Sequence, residues 1–461
     1  MTIFKKNLTM AFFTQFISVI TSIMISLILP KKLGVNDYAY YQLLIFGSSY
    51  IGLLHFGVSD GVYLIYGGKE YDELNHNMLS FFFWIMLVWL ILISLVGCGI
   101  LPFFVKDGMR LYVWHMIFLY GIFANGSWYL GYIFQATNNT RWYSASIFIF
   151  KLIVLMLYTR SFIQGEADVK KYVLIYVCAQ IVSFVYCVAM GNKVFFGIKT
   201  FSKSYFGELI DSCKVGINLT ISNVSNALIL GIGRIIIDKK WSLESFGKIS
   251  LAISLTNFLM QFMQQISMVL FPVLRQVSKK IQTELFDALN STIGILICGL
   301  YVFYFPLEVL LNKWLPQYNA SFVYLGLLMP ICCYDGKVYI LYGTFMKVLR
   351  KEKIVLSINV LSCVMSFVLS LIFAVVFNNI YAIVMATVFT IGFRNYIFGR
   401  VLSDKSQKNL CVFIIETILS ILFVLLHTFL SNMIATIIYI TLYSVVIWIR
   451  REDFFVLKHY I

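Results

Sequence analysis

About fourteen long apolar segments, separated by short loops, dominate this chain and leave few architectures open to it. A run of about 20 apolar residues crosses the ~30 Å hydrocarbon core of a bilayer as a helix. Inside lipid, backbone N–H and C=O groups must pair within the protein, which restricts spanning structures to helices and closed barrels. Barrel strands alternate apolar and polar residues over ~10 positions; these segments are longer and apolar throughout. Composition agrees, with 60% hydrophobic and only 12% charged residues, against ~25% charged in an ordinary soluble domain. The pattern predicts an all-α polytopic membrane protein of about 14 transmembrane helices.

The expected spans run 8–30, 39–66, 79–104, 112–136, 141–159 and 171–191, then 213–237, 247–273, 285–307, 319–343, 354–377, 379–398, 410–429 and 431–449. A more polar stretch, 192–212, separates the two groups. Within it, Thr200 to Ser212 mixes Phe, Tyr, Leu and Ile with Lys203, Glu208 and Asp211. It reads equally as an amphipathic helix on the inner surface or as a bent start to the seventh span. The expected divisions are 1–191, 192–212, 213–398 and 399–461, the last holding a terminal helix pair and a tail.

With the N-terminus taken as cytoplasmic, 22 of the 36 Lys and Arg residues fall on the inner side, among them Lys193, Lys347, Arg350, Lys351, Arg394 and Arg400. Eleven fall outside, including Lys31, Lys32, Lys239 and Lys240, and three lie within spans. This two-to-one bias predicts both termini inside and an even number of spans. The formal net charge of +15 sits mostly in loops beside apolar segments. That points to anionic membrane lipids as partners rather than nucleic acid. The nine cysteines are scattered without a CxxC pair and read as small core residues, so no metal site or other cofactor is expected. Lys5 and Lys6 before an apolar run suggest a retained signal anchor. Loops shorter than 30 residues leave no room for a soluble catalytic domain, so no enzyme is expected.

Two junctions echo each other. LPKKLGVNDYA (29–39) and IDKKWSLESFG (237–247) align at a constant offset of 208 residues and six spans. Lys31 matches Lys239, Gly34 matches Ser242, and Tyr38 matches Phe246. Two six-helix bundles related by an axis along the membrane normal produce such a pattern. Asn36 and Ser242 also suit helix caps.

A charge at the bilayer centre costs about 2.5–3.5 kcal/mol on insertion scales, so intramembrane charges mark candidate sites. Lys151 follows Arg141 by ten residues, or ~15 Å of helix, which places it near mid-depth. It suits either an anion-accepting cavity or a structural pairing with a carboxylate or carbonyl. Asp335 and Lys337 are two residues apart and do not face each other on a regular helix. They suit a cavity, through a local break at Gly336, or an interfacial cluster. Asp60, among Gly57, Gly61, Gly67 and Gly68, suits cation binding, pairing with a cavity base, or a cap in a broken helix. His55 reads as a packing or hydrogen-bonding residue rather than a proton carrier. Arg234, at i,i+4 to Asp238, suits a boundary salt bridge or a phosphate contact. Gln261 and Gln265 share a helix face and could bond sugar hydroxyls or hold helices together. The many Tyr and Phe residues fill bundles and interfacial belts.

LGVNDYAYYQLLIF (33–46), LHFGVSDGVYLIYGG (54–68) and SFGKISLAISLTNFLMQFMQQISMVLFPVL (245–274) resemble the polysaccharide transporters. These are the Wzx-type O-antigen flippases of the multidrug/oligosaccharidyl-lipid/polysaccharide superfamily. The resemblance implies two six-helix bundles around a central cavity, with 410–449 as two additional helices. It implies movement of a polyprenyl-diphosphate-linked glycan from the inner to the outer leaflet of a bacterial cytoplasmic membrane. Functional coupling to a polysaccharide polymerase, a monomeric transport unit and alternating access follow from it. Na⁺ or H⁺ could couple, with Asp60 or Asp335 as candidates. The alternatives are a cation-coupled multidrug exporter of the same superfamily, a peptidoglycan-precursor flippase, or a membrane-embedded sugar-polymer enzyme.

Overall fold

Apolar side chains on every face of long segments force helices that bury one stripe on each other and give the rest to lipid. The computed structural model describes residues 3–198, 202–276, 278–403 and 406–458. Residues 199–201 of the expected linker and 404–405 after the twelfth span lie outside the described residues. Two compact units form, Met1–Ala227 and Leu228–Ile461.

In the first unit, α1 (Ile3–Ile23) continues through a π turn (Met24–Ile28) into α2 (Leu29–Ser48). The chain breaks at Gly34, whose φ of 74° and ψ of 179° leave the helical region. A 3-10 turn (Ile51–His55) follows. Phe56 and Gly57 take left-handed φ values of 48° and 82°, and α3 (Val58–Ile65) begins after them. Next come α4 (His76–Phe104), α5 (Gly108–Ala136), α6 (Thr140–Ile163), α7 (Val169–Met190) and the short α8 (Asn192–Phe195). Asn75, Asp107 and Asp168 cap α4, α5 and α7 by accepting from backbone N–H groups of the first turn, which satisfies donors the helix leaves open. Tyrosines fill the core where α2, α5, α6 and α7 meet. Tyr158 donates to the Tyr172 carbonyl at 2.9 Å and lies 3.2 Å from the Tyr41 hydroxyl, with all three rings buried. Long α9 (Ser204–Lys240) carries the chain from one unit to the other. Its first turns contain the stretch Ser204 to Ser212.

The second unit adds α10 (Leu243–Gln276), α11 (Lys279–Cys298) and α12 (Tyr301–Trp314). After a 3-10 turn come α13 (Asn319–Leu328) and α14 (Pro330–Lys337), a π turn (Val338–Tyr342) and α15 (Gly343–Val348). The unit closes with α16 (Glu352–Val375), α17 (Ile380–Leu402), α18 (Ser406–Phe429), α19 (Asn432–Ile449) and α20 (Arg451–Lys458). Lys240 donates to the Ala374 carbonyl near the end of α16, where a cation offsets the negative helix terminus.

Ten helices among the described residues are long and apolar enough to cross a membrane. There are eleven if Pro316–Leu328 and Pro330–Val348, bent by 45°, count as one span. This is fewer than the expected fourteen for identifiable reasons. The first expected span and the larger part of the second, 39–55, fall within one helical stretch, Lys5–His55. The fourth and eighth correspond to α5 and α10, helices of 29 and 34 residues. Their amides and weakly apolar Tyr and Trp side chains dilute the hydropathy.

The two echoing junctions share local geometry. Gly34 breaks one helical path, and the matched Ser242 stands between α9 and α10. Four residues on, Tyr38 and Phe246 are both fully buried. Ser242 accepts from the Ser245 N–H at 3.1 Å, as a helix cap does.

Candidate functional site

Asp60 owes its position to glycine. At Gly61 an added Cβ would lie 1.9 Å from the Ser212 carbonyl oxygen, and at Gly216 2.0 Å from that of Gly57. α3 and α9 therefore cross backbone to backbone, which only residues without side chains permit. Thr220, one turn past Gly216, donates to Asp60 Oδ2 at 2.5 Å. His55 Nδ1 accepts from the Gly57 N–H at 3.1 Å. Its neutral ring therefore carries the proton on Nε2, which stands 3.9 Å from Asp60 Oδ2. Together with Trp128, Tyr132 and Asn223, these residues line a cavity of about 490 Å³ including its mouth. It lies wholly within the first unit. Asp60 is buried at 4% exposure, yet its Oδ1 has no hydrogen-bond partner among the described residues.

Lys151 stands on α6, beside the buried face formed by Ser146, Phe150, Val154 and Tyr158. Its Nζ lies 5.4 Å from the centre of the Phe150 ring. No carboxylate among the described residues comes within salt-bridge range of it. Within the first unit, no hydrogen bond or ion pair joins it to Asp60 among the described residues.

Asp335 and Lys337 belong to the second unit and reach different partners. Lys337 Nζ lies 2.6 Å from Glu416 Oε1, both essentially without solvent access. Asp335 Oδ1 accepts from Arg394 Nη2 at 2.5 Å, with both groups buried. Gly294 makes room for Glu416, since a Cβ there would lie 1.9 Å from Oε1. Asn395 donates to the Tyr334 carbonyl at 2.7 Å, and the π turn starts directly after Lys337. The result is a neutral set of four charges joining α14 to α17 and α18. Arg394, expected near an inner span end, is instead 2% exposed within α17.

Arg234 is half-buried and donates to the Leu230 carbonyl at 3.3 Å. It borders a narrow apolar crevice with Ile249, Ile253, Leu328, Val384 and Thr387. Gln261 and Gln265 share a face of α10, and the Gln265 amide reaches the Gln261 carbonyl at 3.5 Å. Neither belongs to the charged set.

Sequence reasoning missed Glu416 and Arg394, and also Trp128, Tyr132 and Thr220. A single glutamate inside the strongly apolar 410–429 segment was the available signal for the first.

Two units of long apolar helices, glycine-crossed and carrying a few interior charges, define a multi-pass membrane protein. No protein-family model matches the chain, and no curated protein does. Solved structures do share its fold. The lipid II flippase MurJ, in an inward closed conformation, aligns with a TM-score of 0.69 at 12% identity, covering 97% of this chain and 99% of that one. An inward-facing multidrug resistance MATE family transporter of the MOP superfamily gives 0.64 at 10% identity, over 91% and 98%. A MATE transporter of Vibrio cholerae gives 0.55 at 13% identity, over 89% and 98%. At these identities the likeness establishes the fold.

Proposed function

We propose that this chain is a transporter, not an enzyme, and that it moves polyprenyl-diphosphate-linked oligosaccharide from the inner to the outer leaflet by alternating access. In this reading it serves cell-surface polysaccharide assembly in a bacterial cytoplasmic membrane, beside a polysaccharide polymerase. Fourteen spans would then place both termini in the cytoplasm. α5 and α10, at ~1.5 Å per residue, are long enough to supply the spans that hydropathy alone leaves out, and the break at Gly34 would divide the first stretch in two.

The observation that carries the reading is Lys151, an intramembrane ammonium with no carboxylate partner among the described residues. An uncompensated cation in a span favours an anionic ligand, and a diphosphate offers charge-assisted acceptors. Outward movement of each negative charge gains about 2.3 kcal/mol per 100 mV when the interior is negative. Lys337 contributes less, because Glu416 already neutralises it.

Reconstituted protein flipping a fluorescent polyprenyl-diphosphate N-acetylglucosamine probe tests this. Lys151→Gln should slow flipping at least tenfold while Lys151→Arg retains most of it. Wild-type flipping by Lys151→Gln would sink the cationic-site reading.

The fold likeness itself favours two narrower alternatives, since it includes a lipid II flippase and multidrug transporters. A peptidoglycan-precursor flippase keeps the diphosphate role for Lys151. A multidrug exporter coupled to Na⁺ or H⁺ would instead use Asp60, whose free oxygen borders the first unit's cavity. Export of a cationic dye by wild type but not by Asp60→Asn would support that second reading.

A further inference from the structure

We infer that the first unit's cavity is a sugar-ring subsite, a proposal that rests on the transport of a lipid-linked glycan put forward above. Trp128 and Tyr132 stand one helical turn apart on α5, so both present aromatic surface on the same wall. Gly52 lies across from the indole, where a Cβ would touch Trp128 Cζ3 at 3.4 Å. Any side chain at position 52 would fill the space beside that ring.

The polar complement is specific. Trp128, Tyr132 and the exposed Asn223 line the cavity, and their side-chain donors have no hydrogen-bond partner among the described residues. Asp60 adds a free acceptor oxygen from a side chain only 6% exposed. Its other oxygen is held by Thr220, which fixes the carboxylate plane. Three donor-bearing side chains and a carboxylate acceptor border the same cavity as the aromatic wall. A pyranose offers this pattern in reverse, with an apolar C–H face and a rim of hydroxyls that both donate and accept. Pockets that orient small ligands combine an apolar wall with a few placed polar groups in this way.

An organic cation fits less well. It would use Asp60 and the rings, but it would leave the indole, phenol and amide donors facing a ligand with nothing to accept from them. Donors left unmet where a bound ligand shuts out water are costly.

The test compares affinities of the reconstituted full chain for bare undecaprenyl diphosphate and for the same carrier bearing one glucose, galactose, N-acetylglucosamine or N-acetylgalactosamine. The proposal expects at least one glycosylated form to bind tenfold or more tighter than the bare carrier. Trp128→Ala and Asp60→Asn should each erase most of that ratio, while Trp128→Phe, which keeps an aromatic face, retains at least half of it. Thermal unfolding of each variant separates loss of the subsite from loss of the fold, and Asn223→Ala gives a milder variant with a several-fold effect. Equal binding of bare and glycosylated carriers by the wild type overturns the subsite, as does an unchanged ratio in folded Trp128→Ala. Failure to bind any carrier, bare or glycosylated, instead overturns the proposed function. Saturable binding of tetraphenylphosphonium that is abolished by Asp60→Asn, with no sugar preference, would assign the cavity to cations.

Discussion

Replacing Lys337 with Met should destabilise the protein by about 3–5 kcal/mol, the usual cost of stranding one member of a buried ion pair. The geometry supports the upper part of that range. Nζ and Oε1 are 2.6 Å apart, and the two side chains are 1% and 0% exposed, so water cannot take the lost partner's place. The pair's attraction is of order 4 kcal/mol at an effective dielectric of ~20. Glu416 Oε2 already lacks a hydrogen bond among the described residues, so the stranded carboxylate would have little to fall back on. Glu416→Gln should cost less, because its amide oxygen can still accept from the ammonium, which also lies 5.6 Å from the Tyr342 ring centre. The double substitution Lys337→Met with Glu416→Leu should restore stability to within ~1.5 kcal/mol, since matched apolar replacements of buried pairs are near neutral. Unfolding by titrated denaturant in mixed micelles, applied to wild type, Lys337→Met, Glu416→Leu and the double variant, closes a cycle that should return a coupling of at least ~2 kcal/mol. A cost below ~1 kcal/mol for Lys337→Met, with no coupling to Glu416, would refute the pairing. Lys337 would then become an available cation for substrate.

Two further outcomes follow from local geometry. Gly61→Ala drives a Cβ to 1.9 Å from the Ser212 carbonyl oxygen, so α3 and α9 must part; the cost should reach ~3 kcal/mol and appear as a lower unfolding midpoint. Gly207→Ala, on the same α9 but with open space around it, should be neutral or stabilising by up to ~1 kcal/mol. The Lys193 ammonium, on α8, donates at 2.6 Å to Asp72 in the loop before α4 and holds its carboxyl below the usual value. A lowered folded-state pKa means the contribution is present at neutral pH and is lost as pH falls through that lowered value. Lys193→Ala should raise the Asp72 pKa toward 3.8, read by NMR titration of labelled aspartate, and high salt should do the same in part.

Hydropathy made the helices legible and hid some of their chemistry. Asp335 and Lys337 stood out because two charges close together in an apolar run are conspicuous. Their partners did not, because each sits on a different helix and spacing along one segment says nothing about contacts across a bundle. Arg394 lay close to a predicted span end, where basic residues are ordinary. Glu416 was outweighed by the isoleucines and leucines around it. The glycines at 57 and 61 were readable as permitting close packing or a break, and both occur: a left-handed Gly57 opens α3, and Gly61 meets α9. Their partner Gly216 and the donor Thr220 lie more than 150 residues away, beyond any local pattern. The cavity wall of Trp128 and Tyr132 was equally silent, since those residue types also build cores and interfacial belts.

The interior charges of the two units differ in kind. In the second unit, Asp335, Lys337, Arg394 and Glu416 sum to zero and join three helices. Such a set holds α18 against the rest of its unit and exposes no net charge. In the first unit, Lys151 has no carboxylate partner and Asp60 has hydrogen-bond help on one oxygen only, among the described residues. Each bears an insertion cost of a few kcal/mol that its own surroundings do not offset. In the transport reading proposed above, a substrate or ion supplies the compensation. Neutralising Lys151 and Lys337 together would therefore mix two effects, loss of a ligand contact and rupture of a buried pair. The substitutions belong in separate experiments: flipping should track Lys151, stability should track Lys337, and only the second loss should be repaired by changing Glu416.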